Sequence, residues 1–246
     1  MEALNNFRII YEDEFNLNRN LALEEAILIS LNEGKSMNTF RLWVNEDSAI
    51  APFHENIFKL IDVEYCLREG IKLGRRITGG GAIYNDEGNL NWSFFVQRKL
   101  YEKFSLIELY RYFSNFIIKA LSEIGIELEF REPNWLSIKG KKVSGMAGYI
   151  KNNAILIHGT LLVHANLNKL EKVCKEHYKY PPVMNIAELK SISISELIHH
   201  ISNWMRKKFS EKSEVIFVDE PSEYELKLAE RLKEEKYEKI SWIFSK

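Results

Sequence analysis

The chain has 246 residues, 46% of them hydrophobic, which is enough to build one sizeable domain. Its 34 basic and 35 acidic residues nearly cancel, so charge gives no reason to expect a nucleic-acid partner. Cys66 and Cys174 lie far apart without CxxC spacing, which argues against a disulfide framework or a cysteine-rich zinc site. No apolar run is long enough to span a bilayer, and the N-terminus lacks the features of a secretion signal. We therefore expect a cytoplasmic protein without a membrane partner.

Strand-like and helix-like segments alternate along the first part of the chain. Apolar spacing indicates a helix that ends at Gly34, and an alternating pattern indicates a strand after the glycine-rich stretch. In chain order, the predicted elements are a strand at 7–11, a helix at 17–33, short strands at 40–44 and 48–53, a short helix at 63–70, a glycine-rich loop at 74–88 with an extended piece at 82–84, and a strand at 90–96.

The second part of the chain contains the clearest helix, at 104–124, where nine apolar side chains form a broad stripe before Gly125. Strands clustered in the middle of the chain with helices around them favour an α+β domain over a regular βαβ repeat. No linker is evident, so we expect a single domain over residues 1–246. The remaining predicted elements are strands at 126–130, 135–138, 142–149 and 155–163, helices at 167–177 and 195–208, a strand at 214–218, and a charged helix from Pro221 and Ser222 to 236.

The glycine-rich loop is the most informative stretch, RRITGGGAIYNDEGNLN at 75–91. Three consecutive glycines permit positive φ and let backbone N–H groups converge on an anion. Arg75 and Arg76 stand just before the loop, and a guanidinium suits a phosphate or a carboxylate. The stretch is neither a P-loop nor a GxGxxG fingerprint. On spacing alone, a flexible turn between strands explains the glycines equally well.

A second block, KGKKVSGMAGY at 139–149, indicates a turn that leads into a strand paired with 155–163. Lysines at a turn are usually solvated, but Lys142 begins the strand. If its side chain points inward, it places a fixed positive charge where a carboxylate would attack phosphorus. His158 lies on the partner strand, and a lone strand histidine is more often structural than catalytic.

Together, RRITGGGAIYNDEGNLNWSF, GKKVSGMAGY and HGTLLV resemble the lipoate–protein ligase family of the biotin and lipoate ligase/transferase superfamily. Weaker similarity runs from NLALEEAI to LAERLKEEKYEKISW, so it covers nearly the whole chain. The resemblance implies a biotin/lipoate ligase-like fold, a mixed β-sheet flanked by helices. It also implies a two-step reaction, in which lipoate and Mg-ATP give lipoyl-AMP and a carrier lysine then takes the acyl group. The implied carriers are lipoyl domains of 2-oxoacid dehydrogenase E2 subunits and the glycine cleavage H protein.

The resemblance also implies roles for particular residues. Arg76 takes the place of the arginine that contacts the nucleotide, and Lys142 takes the place of the catalytic lysine that contacts phosphate and acyl carbonyl. The full set expected at ATP or adenylate is Arg76, Thr78, Gly79, Gly80, Gly81, Ala82, Ile83, Tyr84 and Lys142; at lipoate it is Lys142, Gly80 and Gly81. Further candidates are Asn85, Asp86, Asn134, Ser144, Gly145 and His158.

The sequence departs from the family pattern at three places. Asn85 stands where the family often has histidine, and Pro52-Phe53-His54-Glu55 replaces a GRxQ-like segment near the acyl pocket. The chain ends where the family's C-terminal accessory domain would begin, so it resembles the archaeal split form, and a small accessory subunit is expected. Mg²⁺ is expected to enter mainly through phosphate oxygens and water. Asp86 is the nearest candidate ligand, but it suits a loop cap equally well.

Three alternatives stay open at this point. Octanoyl and lipoyl transferases of the same superfamily use a cysteine nucleophile, and both cysteines fit buried packing positions better. This alternative would therefore be an atypical or cysteine-independent transferase. A biotin ligase would show a GRGRxxRxW-like loop, which RRITGGG lacks. A non-catalytic lipoate-binding subunit would not need Arg76, Gly81 and Lys142. The preferred acyl chain, lipoate or octanoate, is not decided by the sequence.

Overall fold

The computed structural model describes residues 7–175, 181–210 and 220–245. Its strands are β1 (Phe7–Tyr11), β2 (Asn38–Val44), β3 (Ser48–Ala51), β4 (Lys72–Arg75), β5 (Ile83–Asn85), β6 (Asn89–Gln97), β7 (Glu129–Arg131), β8 (Trp135–Ile138), β9 (Lys141–Ile150) and β10 (Ala154–Leu162). Its α-helices are α1 (Leu17–Asn32), α2 (Ile57–Leu60), α3 (Val63–Arg68), α4 (Leu106–Ser122), α5 (Leu167–Val173), α6 (Ile194–Ser210), α7 (Glu223–Leu232) and α8 (Ile240–Ile243).

The strands form two sheets. The larger sheet has seven strands in the order β1-β2-β6-β10-β9-β8-β7, and the smaller has three in the order β4-β3-β5. In the larger sheet β1 and β2 are parallel and the other pairs are antiparallel. In the smaller sheet β3 pairs parallel with β4 and antiparallel with β5. The expectation of a mixed sheet flanked by helices is therefore confirmed.

Helices cover both faces of the larger sheet. On one face α4 and α6 pack over an aromatic core that includes Trp92, Phe94 and Phe113. Helix α4 begins with a capping box between Ser105 and Glu108, which satisfies amide groups that the first turn leaves without partners. The strong apolar stripe of α4 explains why the sequence predicted this helix clearly.

On the opposite face α1 packs against α7. Helix α7 also begins with a capping box, between Ser222 and Glu225. The buried carboxylate of Glu225 forms an ion pair with the buried guanidinium of Arg8 in β1. Because a broken buried pair leaves an uncompensated charge, this contact fixes the C-terminal helices firmly to the sheet.

The short elements depart most from the sequence-based predictions. Helices α2 and α8 have four residues each, too few for a helical period, and were not predicted. The strand predicted at 126–130 is reduced to β7, because Ile126 and Leu128 turn into the core instead of following the sheet. The strand predicted at 214–218 and the end of the helix predicted at 167–177 lie outside the described residues. Within the described residues, no helix is both long and apolar enough to cross a membrane.

Candidate active site

The glycine-rich loop, strands β9 and β10, and helix α5 surround a cavity of about 830 Å³. Most residues that the sequence singled out line this cavity, although they come from segments far apart in the chain. The lining residues among the predicted set are Arg76, Gly80, Gly81, Ala82, Ile83, Tyr84, Asn134, Lys142, Ser144, Gly145 and His158.

Four residues of the predicted set lie behind or beside the wall of the cavity. Thr78 is fully buried and its hydroxyl lies 2.8 Å from Nε2 of His158. Asn85 is buried and its side-chain amide donates to the carbonyl of Tyr84. Asp86 accepts from the amides of Gly88, at 2.9 Å, and Asn166, at 2.8 Å, so its carboxylate caps the loop. Gly79 is exposed on the loop.

The guanidinium of Arg76 organises the glycine-rich loop from inside. Its Nη2 donates to the carbonyls of Gly79, at 2.6 Å, and Gly81, at 2.8 Å, and its Nε donates to Thr78 Oγ1 at 2.9 Å. The N–H of a trans peptide points opposite to its carbonyl. The amides of Gly80 and Ala82 therefore face away from the guanidinium, and both residues line the cavity.

The backbone at position 80 of the loop requires glycine. Its φ is +98°, a conformation that L side chains rarely adopt. A Cβ there would also lie 3.1 Å from Arg76 Nη2. The loop is thus shaped to expose backbone N–H groups, which favours the anion-binding interpretation over a simple flexible turn.

Lys142 enters the cavity from a distorted part of β9. Its backbone pairs with Ser137, and the register between β8 and β9 shifts beside this pair, which is where a bulge redirects side chains. Its amide donates to Pro182 O at 2.7 Å, and its carbonyl accepts from Met184 at 3.1 Å. Burial lowers the pKa of the Lys142 ammonium. These backbone contacts hold Lys142 in place, and its side chain lines the cavity.

Gly145 leaves room for that charge. A Cβ at Gly145 would lie 3.2 Å from both Cε and Nζ of Lys142. The lysine side chain therefore lies over the glycine, and a larger residue would displace the ammonium. The sequence placed both residues in one motif, but it did not show that one makes space for the other.

His158 connects the cavity to a buried carboxylate. Its Nδ1 lies 2.8 Å from Glu24 Oε1, and Ser93 donates to the same oxygen at 2.7 Å. Burial raises the pKa of Glu24, but the neighbouring His158, Ser93 and Arg41 outweigh it and leave the pKa below its usual value. His158 is thus held in place on both ring nitrogens, by Glu24 on one side and Thr78 on the other.

Two buried polar atoms of the wall lack a hydrogen-bond partner within the described residues. They are Oδ1 of Asn89 and Oγ of Ser144, and both residues line the cavity. Buried polar atoms are normally paired, so these two are exceptions within the cavity wall. Asn89 was not among the predicted site residues.

Part of the wall is apolar and comes from elements that the motif-based prediction did not include. Leu21 of α1, Trp43 of β2 and Ile50 of β3 line the cavity. The indole N–H of Trp43 donates to Ser93 Oγ at 3.0 Å, which keeps the ring in place. Cationic groups and apolar surface in one cavity suit a ligand with an anionic head and a hydrocarbon chain.

Arg75 points away from the cavity, although it precedes Arg76 directly. Its buried guanidinium donates to Pro52, Phe53 and Glu55 on one side. On the other side it donates to the carbonyls of Trp242, Ile243 and Ser245. We call residues 52–55, 75 and 242–245 the Arg75 clasp. The clasp joins the C-terminal segment to the small sheet.

Both cysteines are buried, as the sequence indicated. Cys174 also lines the cavity, with its Sγ 3.9 Å from Ala82 O. Burial raises the pKa of Cys174 to about 12 and that of Cys66 to about 11. A nucleophilic cysteine needs a lowered pKa, so neither thiol has the environment of a transferase nucleophile.

Residues 16–208 match the lipoyl protein ligase A/B catalytic domain family, and the chain belongs to this family. Lipoate-protein ligase A subunit 1 of Thermoplasma acidophilum is 29% identical, over 95% of this chain and 94% of the relative. Probable lipoate-protein ligase A of Mycoplasma pneumoniae is 26% identical, over 92% of this chain and 68% of the relative. The chain spans about half of some other relatives, 56% of the Aeropyrum pernix protein for example.

Solved structures agree with this assignment. A lipoate-protein ligase A bound with ATP superposes with a TM-score of 0.83 at 26% identity, over 97% of this chain and 98% of the other. The bi-partite lipoate protein ligase of T. acidophilum superposes with a TM-score of 0.81 at 26% identity, over 98% of this chain and 96% of the other. A T. acidophilum structure with bound lipoic acid superposes with a TM-score of 0.82 at 26% identity, over 98% of this chain and 100% of the other. The enzyme class of this chain is that of the ATP-dependent lipoate–protein ligases.

Proposed function

We propose that this chain joins lipoate, or the related octanoate, to ATP as an acyl-adenylate and transfers the acyl group to a lysine of a lipoyl carrier domain. One observation carries the proposal. The half-buried Lys142 and the outward amides of the Arg76-bound loop share one cavity with an apolar wall. The ATP-bound and lipoic-acid-bound relatives support this pair of substrates.

In the first step, a carboxylate oxygen of lipoate attacks the α-phosphorus of ATP. The bond from that phosphorus to the bridging oxygen breaks, and pyrophosphate leaves with the electron pair. Two anions must meet, so the step needs fixed positive charge and oriented N–H donors. Lys142 and the amides of Gly80 and Ala82, whose residues line the cavity, would supply that charge and those donors. The apolar wall formed by Leu21, Trp43 and Ile50 would take the hydrocarbon chain.

In the second step, the amine of a carrier lysine attacks the acyl carbonyl carbon. The bond between that carbon and the phosphate oxygen breaks, AMP leaves, and the new amide nitrogen loses a proton to solvent. Lys142 stabilises the negative charge on the leaving phosphate and the carbonyl oxygen. The carriers are lipoyl domains, as the E2 lipoyl domain of the bi-partite T. acidophilum system supports.

Mg²⁺ is proposed to arrive as part of the substrate Mg-ATP. Within the described residues, no group of three or more His, Cys, Asp and Glu side chains is placed to hold a metal ion. The Asp86 carboxylate is engaged by the amides of Gly88 and Asn166. Phosphate oxygens and water are the usual ligands of Mg²⁺ at such sites, so this arrangement fits a metal carried by the nucleotide.

We further propose that the chain acts as a single catalytic domain that a small second protein completes. The T. acidophilum relative is a subunit of a bi-partite ligase, and this chain aligns with nearly all of it. The purified chain alone should lipoylate a carrier domain slowly. Complete modification of the carrier at catalytic amounts of the chain alone would contradict the need for a partner.

The test of the proposed function is a direct assay. The chain is incubated with lipoate or octanoate, Mg-ATP and an apo lipoyl domain, and the intact mass of the carrier is measured. ATP–pyrophosphate exchange that depends on the acid is measured in parallel. Exchange without carrier, and an acyl mass gain with carrier, are expected. Acyl transfer from an acyl carrier protein without ATP would contradict the proposal.

Cys174 allows a separate test against the transferase alternative, because it is the cysteine that lines the cavity. If the chain acts through an adenylate, Cys174→Ala should retain exchange and transfer within about twofold, as expected when no group that contacts the transition state is lost. Complete loss of transfer with normal folding would favour a thioester route. Cys66→Ala, in the neighbouring core, is the matched control.

A further inference from the structure

Glu171 places a carboxylate on the wall of a cavity that also holds the cations of Arg76 and Lys142. The residue lies on α5, where helical spacing brings Leu170, Glu171 and Cys174 to one face. All three line the cavity, and the Glu171 side chain remains exposed to solvent. Glu171 therefore lies where the cavity wall meets the solvent.

Helix α5 is fixed to the small sheet and the glycine-rich loop at several points. The Asn166 side chain caps it by accepting from the Lys169 amide at 3.0 Å. The Asn166 amide in turn donates to Asp86 at 2.8 Å. The Lys169 ammonium forms an ion pair with Asp47, which also accepts from the Tyr84 hydroxyl at 2.8 Å. Because α5 is held in this way, Glu171 has a defined position relative to the loop.

The charge of Glu171 is unfavourable for two of the three reactants. ATP and the fatty acid are anions, and a fixed carboxylate nearby repels both. The third reactant, the acceptor lysine, is a cation at neutral pH and must come to the cavity from solvent. An exposed carboxylate at the edge of the cavity is of the right charge to attract and orient it.

We propose that Glu171 is the group that receives the ammonium of the acceptor lysine and directs it toward the acyl-adenylate, where the ammonium loses a proton to solvent before the amine attacks. The inference rests on the proposed function, since it assigns a residue to the transfer step of that reaction. Glu171 pairs with the entering cation by charge and hydrogen bonding and takes no part in adenylate formation. Its effect belongs to carrier recognition, so it should appear in KM for the carrier and should weaken as salt screens the attraction.

The test compares Glu171→Gln, Glu171→Asp and wild type in two assays. The first is lipoate-dependent ATP–pyrophosphate exchange; the second is transfer of supplied lipoyl-AMP to an apo lipoyl domain at low and high salt. For Glu171→Gln, exchange should stay within about twofold, while kcat/KM for the carrier should fall about tenfold at low salt, mainly through KM. Glu171→Asp should recover part of the loss. Glu235→Gln, which replaces an exposed carboxylate on a segment outside the cavity, is the matched control.

Two results would overturn the assignment. Unchanged transfer in Glu171→Gln would show that the carboxylate is merely solvated. An equal fall in exchange and in transfer would show that Glu171 acts at the nucleotide or its metal. Because the second assay supplies lipoyl-AMP, it decides the role of Glu171 even if the wild-type chain fails to make the adenylate. That failure would count against the proposed activation step alone.

Discussion

Arg75 and Arg76 are neighbours in the sequence but belong to regions that differ in how completely their hydrogen bonds are satisfied. In the Arg75 clasp, six backbone carbonyls accept from one guanidinium, and the Trp242 indole returns a hydrogen bond to the Arg75 carbonyl. In the cavity, Asn89 Oδ1 and Ser144 Oγ are buried without partners within the described residues. The comparison separates a region in which one guanidinium is fully engaged by carbonyls from a region whose buried polar atoms are not all paired.

The two regions are connected through one strand. Arg75 ends β4 and holds the C-terminal segment, while Arg76 follows it and binds the carbonyls of the glycine-rich loop. The position of the loop thus depends on a strand whose other side is anchored in the clasp. Changes in the clasp should alter mainly stability, and changes in the cavity should alter mainly activity.

The largest effect is expected for Lys142→Ala. Removal of the charge that faces the developing negative charge should lower the rate of adenylate formation about 100- to 1000-fold, the range measured for a lost oxyanion donor. Lipoate-dependent ATP–pyrophosphate exchange measures it. Lys141→Ala, the exposed neighbour in β9, is the control and should keep wild-type activity. Loss of folding in Lys142→Ala, seen by circular dichroism, would place this lysine with the stabilising region instead.

Arg75→Ala should be the most destabilising change in the clasp. The lost guanidinium leaves buried carbonyls without donors, and we expect the free energy of unfolding to fall by about 3 kcal/mol. Urea denaturation followed by tryptophan fluorescence measures it. Arg68→Ala, an exposed arginine paired with Glu69, should change stability by less than about 0.5 kcal/mol. A stable Arg75→Ala variant that cannot form adenylate would break the comparison.

Glu24→Gln tests the network that holds His158. The pKa of Glu24 is below its usual value, so its charged form stabilises the fold at neutral pH. That contribution is fully present above the unfolded pKa of about 4 and is lost as pH falls through the lower folded pKa. The free energy of unfolding, measured by urea denaturation, should be about 2 kcal/mol higher for wild type than for the variant at neutral pH. This difference should disappear in acid. A gap that stays constant across the acidic range would show that packing, not charge, accounts for it.

The smallest effect is expected for Trp242→Phe. This change removes the indole N–H that donates to the Arg75 carbonyl at 3.0 Å and keeps an aromatic ring against Phe53. We expect a loss of about 1 kcal/mol in the free energy of unfolding, with unchanged ATP–pyrophosphate exchange. A loss as large as that of Arg75→Ala would mean that the clasp depends on the indole instead of the guanidinium.

The sequence by itself determined the long elements and the family. The strand at Phe7–Tyr11 was predicted with its observed bounds, and the helix now seen as α4 was recognised because a long amphipathic stripe is a local pattern. The motifs around Arg76 and Lys142 also identified the ligase family, because backbone amides and fixed charges for this chemistry leave a signature of glycines and lysine in the sequence.

Only the tertiary structure decided which of these groups meet, and in which direction they point. Arg75 and Arg76 look alike in sequence, but the guanidinium of Arg75, at the end of β4, binds the clasp and that of Arg76 binds the loop. Leu21, Trp43 and Glu171 carry no motif, and they line the cavity because the sheet and helix α5 bring distant segments together. Glu24 carries no motif either, and it acts on the cavity only through its contact with His158. The glycine-rich loop could be recognised from local sequence, whereas the wall that completes the cavity arises from long-range packing.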